Sequence, residues 1–408
     1  MNLKKSYFWN TIGSGLNSFN SLFLLILVTR INGIKDAGLF TFSFATACML
    51  YVIATYAGRT YQVTENEKDI SDSEFILHRI ICSVVMIIVS VFFCLISHYS
   101  KYKFIIFILL CLFKGSEAIS DVFYGILQKN NKLDVVGKSM FFRSLLDVIV
   151  FGIVDFFTSN LILSCISMII VNILFLIFVD SKLGLRFKDN FKVINFNAVK
   201  KIFVFGFFTF GFSFIANYLV NAPRYAIDSI MSEEFQTIFG IIVMPASIIM
   251  LINQFIIQPI ITTIKKYYHE RNKKYFLKII LKVIFATFFV GIVAIVGAYF
   301  LGVPVLNFMY HLDLYEYKYD LLLIIFGATL YTIASVLSNA LIVLRKTKIQ
   351  LVMYVLVSIF AFFISYRLVY LFGFNGAIYS YLLIMILLLL LYVIYFIIIY
   401  NNKKVWKK

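Results

Sequence analysis

Twelve apolar runs, each long enough to cross a hydrocarbon core as a helix of about 20 residues, alternate with short polar stretches along the chain. They cover 8–29, 38–61, 76–98, 104–127, 139–158, 160–180, 200–221, 238–262, 279–303, 320–343, 350–371 and 375–399. The longest polar stretches between them, 62–75, 181–199, 263–278 and 304–319, leave no room for an inserted soluble domain. The pattern predicts an all-α polytopic membrane protein with twelve transmembrane helices arranged as two six-helix bundles.

The chain divides near its middle. Segment 181–199 carries Leu183, Phe187, Phe191 and Ile194 at helical spacing, with Lys182, Arg186, Asp189 and Lys192 between them. This is either a basic amphipathic helix on the membrane surface or an ordinary basic loop. It separates a bundle over 1–180 from a second over 200–408. The halves echo one another. The first span holds Gly13 and Gly15, the seventh Gly206 and Gly211, and the fourth and tenth spans each lead into a basic turn. Those glycines, with Pro223, allow either close packing or bending of spans one and seven. Six plus six spans entered from the same side make a parallel repeat, an architecture in which transporters bind cargo between the halves and rock them.

Charge then fixes orientation. Of the 408 residues, 62% are hydrophobic and 14% charged, yet the net charge is +17. With the N-terminus inside, 29 Lys and Arg residues fall in inside segments and 6 in outside ones. This asymmetry predicts cytoplasmic termini and accounts for the basic balance without nucleic acid. Tyrosines near span ends, such as Tyr61, Tyr99, Tyr267 and Tyr268, fit an interfacial belt. Lys4 and Lys5 precede a run that is too long and too rich in asparagine for a cleaved signal, so it reads as a retained span. The five cysteines lie in apolar runs and the four histidines are scattered, which predicts no metal site and no cofactor.

The candidate chemistry sits inside spans. Lys114, Glu117 and Asp121 fall at i, i+3 and i+7 of the fourth span, on one helical face, and Arg143 and Asp147 at i, i+4 of the fifth. A charge at bilayer depth costs about 2.5–3.5 kcal/mol on insertion scales. These five therefore face protein or water, either pairing with each other (Asp121 with Arg143, for instance) or lining a cavity. Lys114, Arg143 and Arg59 are the cations available to a phosphorylated head group; Arg59 and Arg143 could instead snorkel to the interface. Glu117, Asp121 and Asp147 are candidates for ion coupling. Asp155, near a span end, is expected to be solvated. Arg30 and Arg224 are placed at the outer mouth. Asn253, Gln254 and Gln258 lie between or beside Pro245 and Pro259 in the eighth span. Amides offer donor and acceptor together, which suits sugar hydroxyls and equally suits helix–helix bonds. No phosphate loop, nucleophile elbow or metal-ligand box is present, so an enzyme is not expected.

Three stretches carry a family resemblance: GIKDAGLFTFSFATA (33–47), YAGRTYQV (56–63) and DVFYGILQKNNKLDVVG (121–137). With them the chain resembles Wzx-type polysaccharide repeat-unit flippases of the MOP exporter superfamily. The resemblance implies an undecaprenyl-pyrophosphate-linked oligosaccharide as cargo, moved from inner to outer leaflet of the plasma membrane for capsule, O-antigen or exopolysaccharide assembly. It also implies a cationic cavity, and a polysaccharide polymerase and chain-length regulator as partners besides membrane lipids. Related lipid II flippases hold pyrophosphate with arginines of the first two spans. The first span here has no such arginine, so Lys114 and Arg143, with Arg59, are expected to take that role, and Asn253, Gln254 and Gln258 to contact sugar. The rival expectations are a MATE-like multidrug or cation antiporter and, further off, a membrane polysaccharide polymerase or ligase.

Overall fold

The structure is a computed structural model that describes residues 3–56, 58–64, 70–187, 194–344, 346–402 and 406. Among these residues the chain is almost wholly helical and contains no strand. It forms two compact units, Met1–Phe214 and Ile215–Lys408, so the division falls inside a helix.

The first unit contains α1 (Leu3–Ile31), α2 (Ile34–Thr55), the short α3 (Gly58–Thr64), α4 (Asp72–Ile96), α5 (Lys101–Lys129), α6 (Leu133–Thr158) and α7 (Leu161–Phe175). A π-helical turn, Leu176–Asp180, runs on from α7 into α8 (Ser181–Leu185). The unit ends in the first half of α9 (Phe196–Ile230). The second unit holds the rest of α9, then α10 (Glu233–His269), α11 (Lys273–Gly297), α12 (Val303–Tyr310), α13 (Lys318–Val343) and α14 (Thr347–Asn401). Gly373, at φ 57° and ψ −133°, bends α14 into two helices; an L-residue with a side chain rarely adopts this conformation.

Each predicted run falls on a helix, but α9 and α10 continue to Ile230 and His269, past the predicted ends at 221 and 262. The second run was expected to reach residue 61, but α2 stops at Thr55. The chain turns at Tyr56, where φ is 47°, and at Gly58, where φ is 72°, and restarts as α3. Polar side chains start several helices where the first amides lack carbonyl partners. The Ser71 amide donates to Glu74 at 2.8 Å, Asn160 accepts from the amides of Ile162 and Leu163 at 3.1 and 3.2 Å, and Asn272 accepts from Tyr275 N at 3.2 Å.

Burial is inverted relative to a soluble protein. Phe156, Phe157, Phe300 and Phe308 are exposed, as lipid-facing side chains are, whereas Lys114, Glu117, Arg143 and Asp147 are buried. Nine helical stretches among the described residues are long and apolar enough to cross a membrane. The charged helices α5 and α6, 29 and 26 residues long, add to them. This is a multi-pass membrane protein. In each unit the helix of the fourth or tenth predicted run is enclosed by its neighbours: α5 by α2, α4 and α7, and α13 by α10, α11 and α14.

The expected surface helix over 181–199 falls partly on residues 188–193, outside the described ones. Leu183 and Phe187 pack against Tyr124, Leu127, Val136 and Met140 of α5 and α6, so this part of the apolar stripe is spent on the first unit rather than on lipid.

Candidate functional site

The charged residues of α5 and α6 meet inside the first unit. Lys114 Nζ lies 2.7 Å from Glu117 Oε2, one turn along α5, and rests over the rings of Phe44 and Phe113 at 4.6 and 5.0 Å. The second oxygen of Glu117 accepts from Arg143 Nη2 at 3.3 Å. Arg143 Nη1 faces Asp180 at 3.6 Å, and its guanidinium covers the Tyr124 ring at 5.7 Å. Asp180, in the π-helical turn, also accepts from Tyr124 Oη at 3.2 Å and from the Ser139 hydroxyl. Both oxygens of Asp147 accept from Asn172 Nδ2, at 3.1 and 3.0 Å, and Ser116 donates to Asn172 Oδ1 at 2.8 Å. Two cations, Lys114 and Arg143, are thus set against two carboxylates, Glu117 and Asp180. Removing such charges from water is expensive, and here the matched charges and ring contacts offset part of that cost, although Arg143 Nε and Nη1 have no hydrogen-bond partner.

Beside this network is a cavity of about 220 Å³ bounded by α1, α2 and α5, with Asn17, Ser21, Tyr51, Lys114 and Glu117 in its wall. Lys114 is therefore paired and yet open to a cavity. Arg143, only 2% exposed, is enclosed by its partners.

Asp121 does not pair with Arg143. It lies one turn beyond Glu117 along α5, towards the end where α3 and α4 pack, and meets Arg59 Nε at 3.5 Å and Arg79 Nη2 at 3.4 Å. The break after α2 is what brings Arg59 here, because α3 packs on α5. Asp155 is not solvated: it is fully buried and accepts from Asn32 Nδ2 at 3.1 Å and Ser164 Oγ at 2.9 Å.

The second unit has a cavity of its own, about 360 Å³, between α10 and α13. Its polar wall is Asn253, Tyr331, Thr332, Ser335 and Asn339, and its apolar wall includes Met250 and Ile257. Among the described residues no charged group lines it. Asn253 accepts from Thr287 Oγ1 at 3.1 Å and donates to the Thr332 carbonyl at 3.4 Å, so it braces α11 and α13 while facing the cavity. The side chains of Gln254 and Gln258 lie outside the described ones. Arg224 is buried over the Phe239 ring at 5.3 Å, and Arg30, at the end of α1, is exposed.

Sequence reasoning missed Arg79, which counted as a loop charge, and Asp180, which sat at a run's end. It also passed over Tyr331, Ser335 and Asn339, although their i, i+4, i+8 spacing in an apolar helix was a readable stripe.

No family model matches the chain. Its sequence is 23% identical over 368 residues, 88% of this chain and 91% of the relative, to the capsular polysaccharide biosynthesis protein CapF of Staphylococcus aureus. Its structure is similar to that of the lipid II flippase MurJ in an inward closed conformation, with a TM-score of 0.72 at 16% identity over 95% of this chain and 87% of that one. It is also similar to an inward-facing multidrug resistance MATE transporter of the MOP superfamily, with a TM-score of 0.66 at 11% identity over 95% and 98% of the two chains. The chain has the MOP-superfamily fold. That fold accommodates both a lipid flippase and drug exporters, so the fold alone does not choose a cargo.

Proposed function

We propose that this MOP-fold protein is a flippase that carries a lipid-linked oligosaccharide precursor from the inner to the outer leaflet of the plasma membrane by alternating access, for surface polysaccharide assembly. It acts as a transporter, not an enzyme, with both termini in the cytoplasm and with bundles over 1–180 and 200–408 joined through 181–199. The observation that carries this reading is the likeness to the capsular polysaccharide protein along nearly the whole of both chains.

The sites support it. A pyrophosphate-linked sugar cannot cross hydrocarbon without replacement of its hydration, whereas its polyisoprenyl tail can stay in lipid. Lys114, Arg143 and Arg59 serve the pyrophosphate: Lys114 at its cavity, Arg143 through Glu117, and Arg59 beside Asp121, outside that cavity. Asn253, Gln254 and Gln258 serve the sugar. Glu117, Asp121 and Asp147 couple the step to an ion gradient, and Arg30 and Arg224 stand at the outer mouth. A polymerase and a chain-length regulator receive the product.

The test is complementation of a deletion strain, scored by surface polysaccharide and by the leaflet in which lipid-linked precursor accumulates. Wild type restores export, Lys114→Arg restores part of it, and Lys114→Ala does not. Normal surface polysaccharide in the deletion strain, together with drug resistance on overexpression, would overturn the reading in favour of a MATE-like antiporter.

A further inference from the structure

The two charge clusters of the first unit differ in balance. Around Glu117 and Asp180, two cations meet two carboxylates. Around Asp121, two guanidiniums share one carboxylate. Among the described residues no second carboxylate pairs with either arginine. Arg79 has a side chain only 4% exposed, yet its Nε and Nη1 have no hydrogen-bond partner, and neither does the buried Nη1 of Arg59. Buried donors left without acceptors are costly, and on a guanidinium the cost includes uncompensated charge. Among the described residues the deficit here is one negative charge and at least three acceptors.

We propose that Arg59 and Arg79 form a binding site for a phosphoryl anion, with Asp121 holding the two guanidiniums apart when the site is empty. A phosphate or pyrophosphate supplies what is lacking: negative charge and several acceptor oxygens, in a geometry that suits guanidinium forks. Access comes from the Arg59 side, where the side chains of Arg59 and Asp121 are 26% and 16% exposed. Arg79 is fixed in α4, while Arg59 is carried on the seven-residue α3. The site lies near the start of α4 and two turns from the end of α5, on the side that the loop charges assign to the cytoplasm. It is separate from the cavity at Lys114, and it is where an anionic head group would be met before reaching that cavity. The site itself stands on geometry; its use as a loading station for lipid-linked cargo rests on the flippase reading.

The experiment is binding of inorganic pyrophosphate, and in a second arm of undecaprenyl pyrophosphate, to the full-length protein in nanodiscs. Thermal unfolding of each variant in the absence of ligand controls for folding. Wild type binds both probes if the site takes the phosphoryl group itself, and binds only the lipid probe if the site also needs the membrane-embedded chain. Arg79→Gln and Arg59→Gln weaken binding about tenfold or more, Arg79→Lys recovers part of it, and Asp121→Asn tightens it. Lys318→Gln, which removes one charge from the second unit, leaves it unchanged. Unaltered affinity in a folded Arg79→Gln, or no binding of either probe to wild type, overturns the site. Normal pyrophosphate binding by a protein that fails to restore surface polysaccharide in the deletion strain overturns the flippase reading and leaves the site standing.

Discussion

Gly13 of α1 and Gly137 of α6 meet backbone against backbone. A methyl group on Gly13 would overlap the Gly137 carbonyl, and one on Gly137 would overlap the backbone at Trp9 and Asn10. Of the glycines that sequence left open between packing and bending, Gly13 has a plain packing role, and its partner Gly137 was not among them; close helix approach in a membrane depends on small residues. Gly13→Leu and Gly137→Leu are each expected to cost more than the ~1–3 kcal/mol typical of overpacking, because backbone cannot move aside as a side chain can. Gly15, with open space around it, is expected to accept Ala without loss. Folded yield and thermal unfolding in detergent measure both.

Glu117 joins Lys114 to Arg143, so its neutralisation strands the buried Lys114 and leaves Arg143 with Asp180 alone. Glu117→Gln is expected to cost about 3–5 kcal/mol. Adding Lys114→Met should recover part of that loss, with a coupling of about 0.5–3 kcal/mol in a double-mutant cycle of unfolding free energies. A double variant no more stable than Glu117→Gln alone would show that the two residues do not act as a pair.

In the second unit, bracing and cavity contact separate by residue. Asn253→Ala removes two bonds between helices and is expected to destabilise by ~1–3 kcal/mol. Among the described residues Asn339 bonds only locally, its Nδ2 donating to the Ser335 carbonyl one turn away at 2.8 Å, and it lines the cavity. Asn339→Ala should unfold as wild type does while export of surface polysaccharide falls. Equal export by the two would remove Asn339 from cargo contact.

Gln350 ties the two ends of the second unit's last helices together. Its Oε1 accepts from Ser338 Oγ at 2.8 Å and Tyr392 Oη at 3.2 Å, and its Nε2 donates to the Ser338 carbonyl at 3.2 Å. Gln350→Leu leaves buried polar atoms of Ser338 and Tyr392 without this partner, with an expected loss of ~1–3 kcal/mol. The loss should be smaller when Tyr392→Phe is added, as read by thermal unfolding.

The helices were legible because a membrane demands long apolar runs, and the buried charges were legible because lipid rejects them. Their partners were not. Helical spacing puts Lys114, Glu117 and Asp121 on one face, but which of them meets Arg143 depends on how far α6 slides along α5, and no local signal sets that. The break at Tyr56 was equally hidden, since YAGR reads as a helix end only to someone who knows that Arg59 must turn towards Asp121. Asp155 was misjudged for a related reason: a carboxylate near a span end is solvated by default, and only the neighbouring Asn32 and Ser164 make its burial tolerable.

Exchanging one amide or hydroxyl for another in the uncharged wall of the α10–α13 cavity disturbs no ion pair and leaves no stranded charge, whereas any change around Glu117 does both. On the flippase reading proposed above, Tyr331, Ser335 and Asn339 are therefore the positions where a change of cargo preference would disturb the charge network of the first unit least.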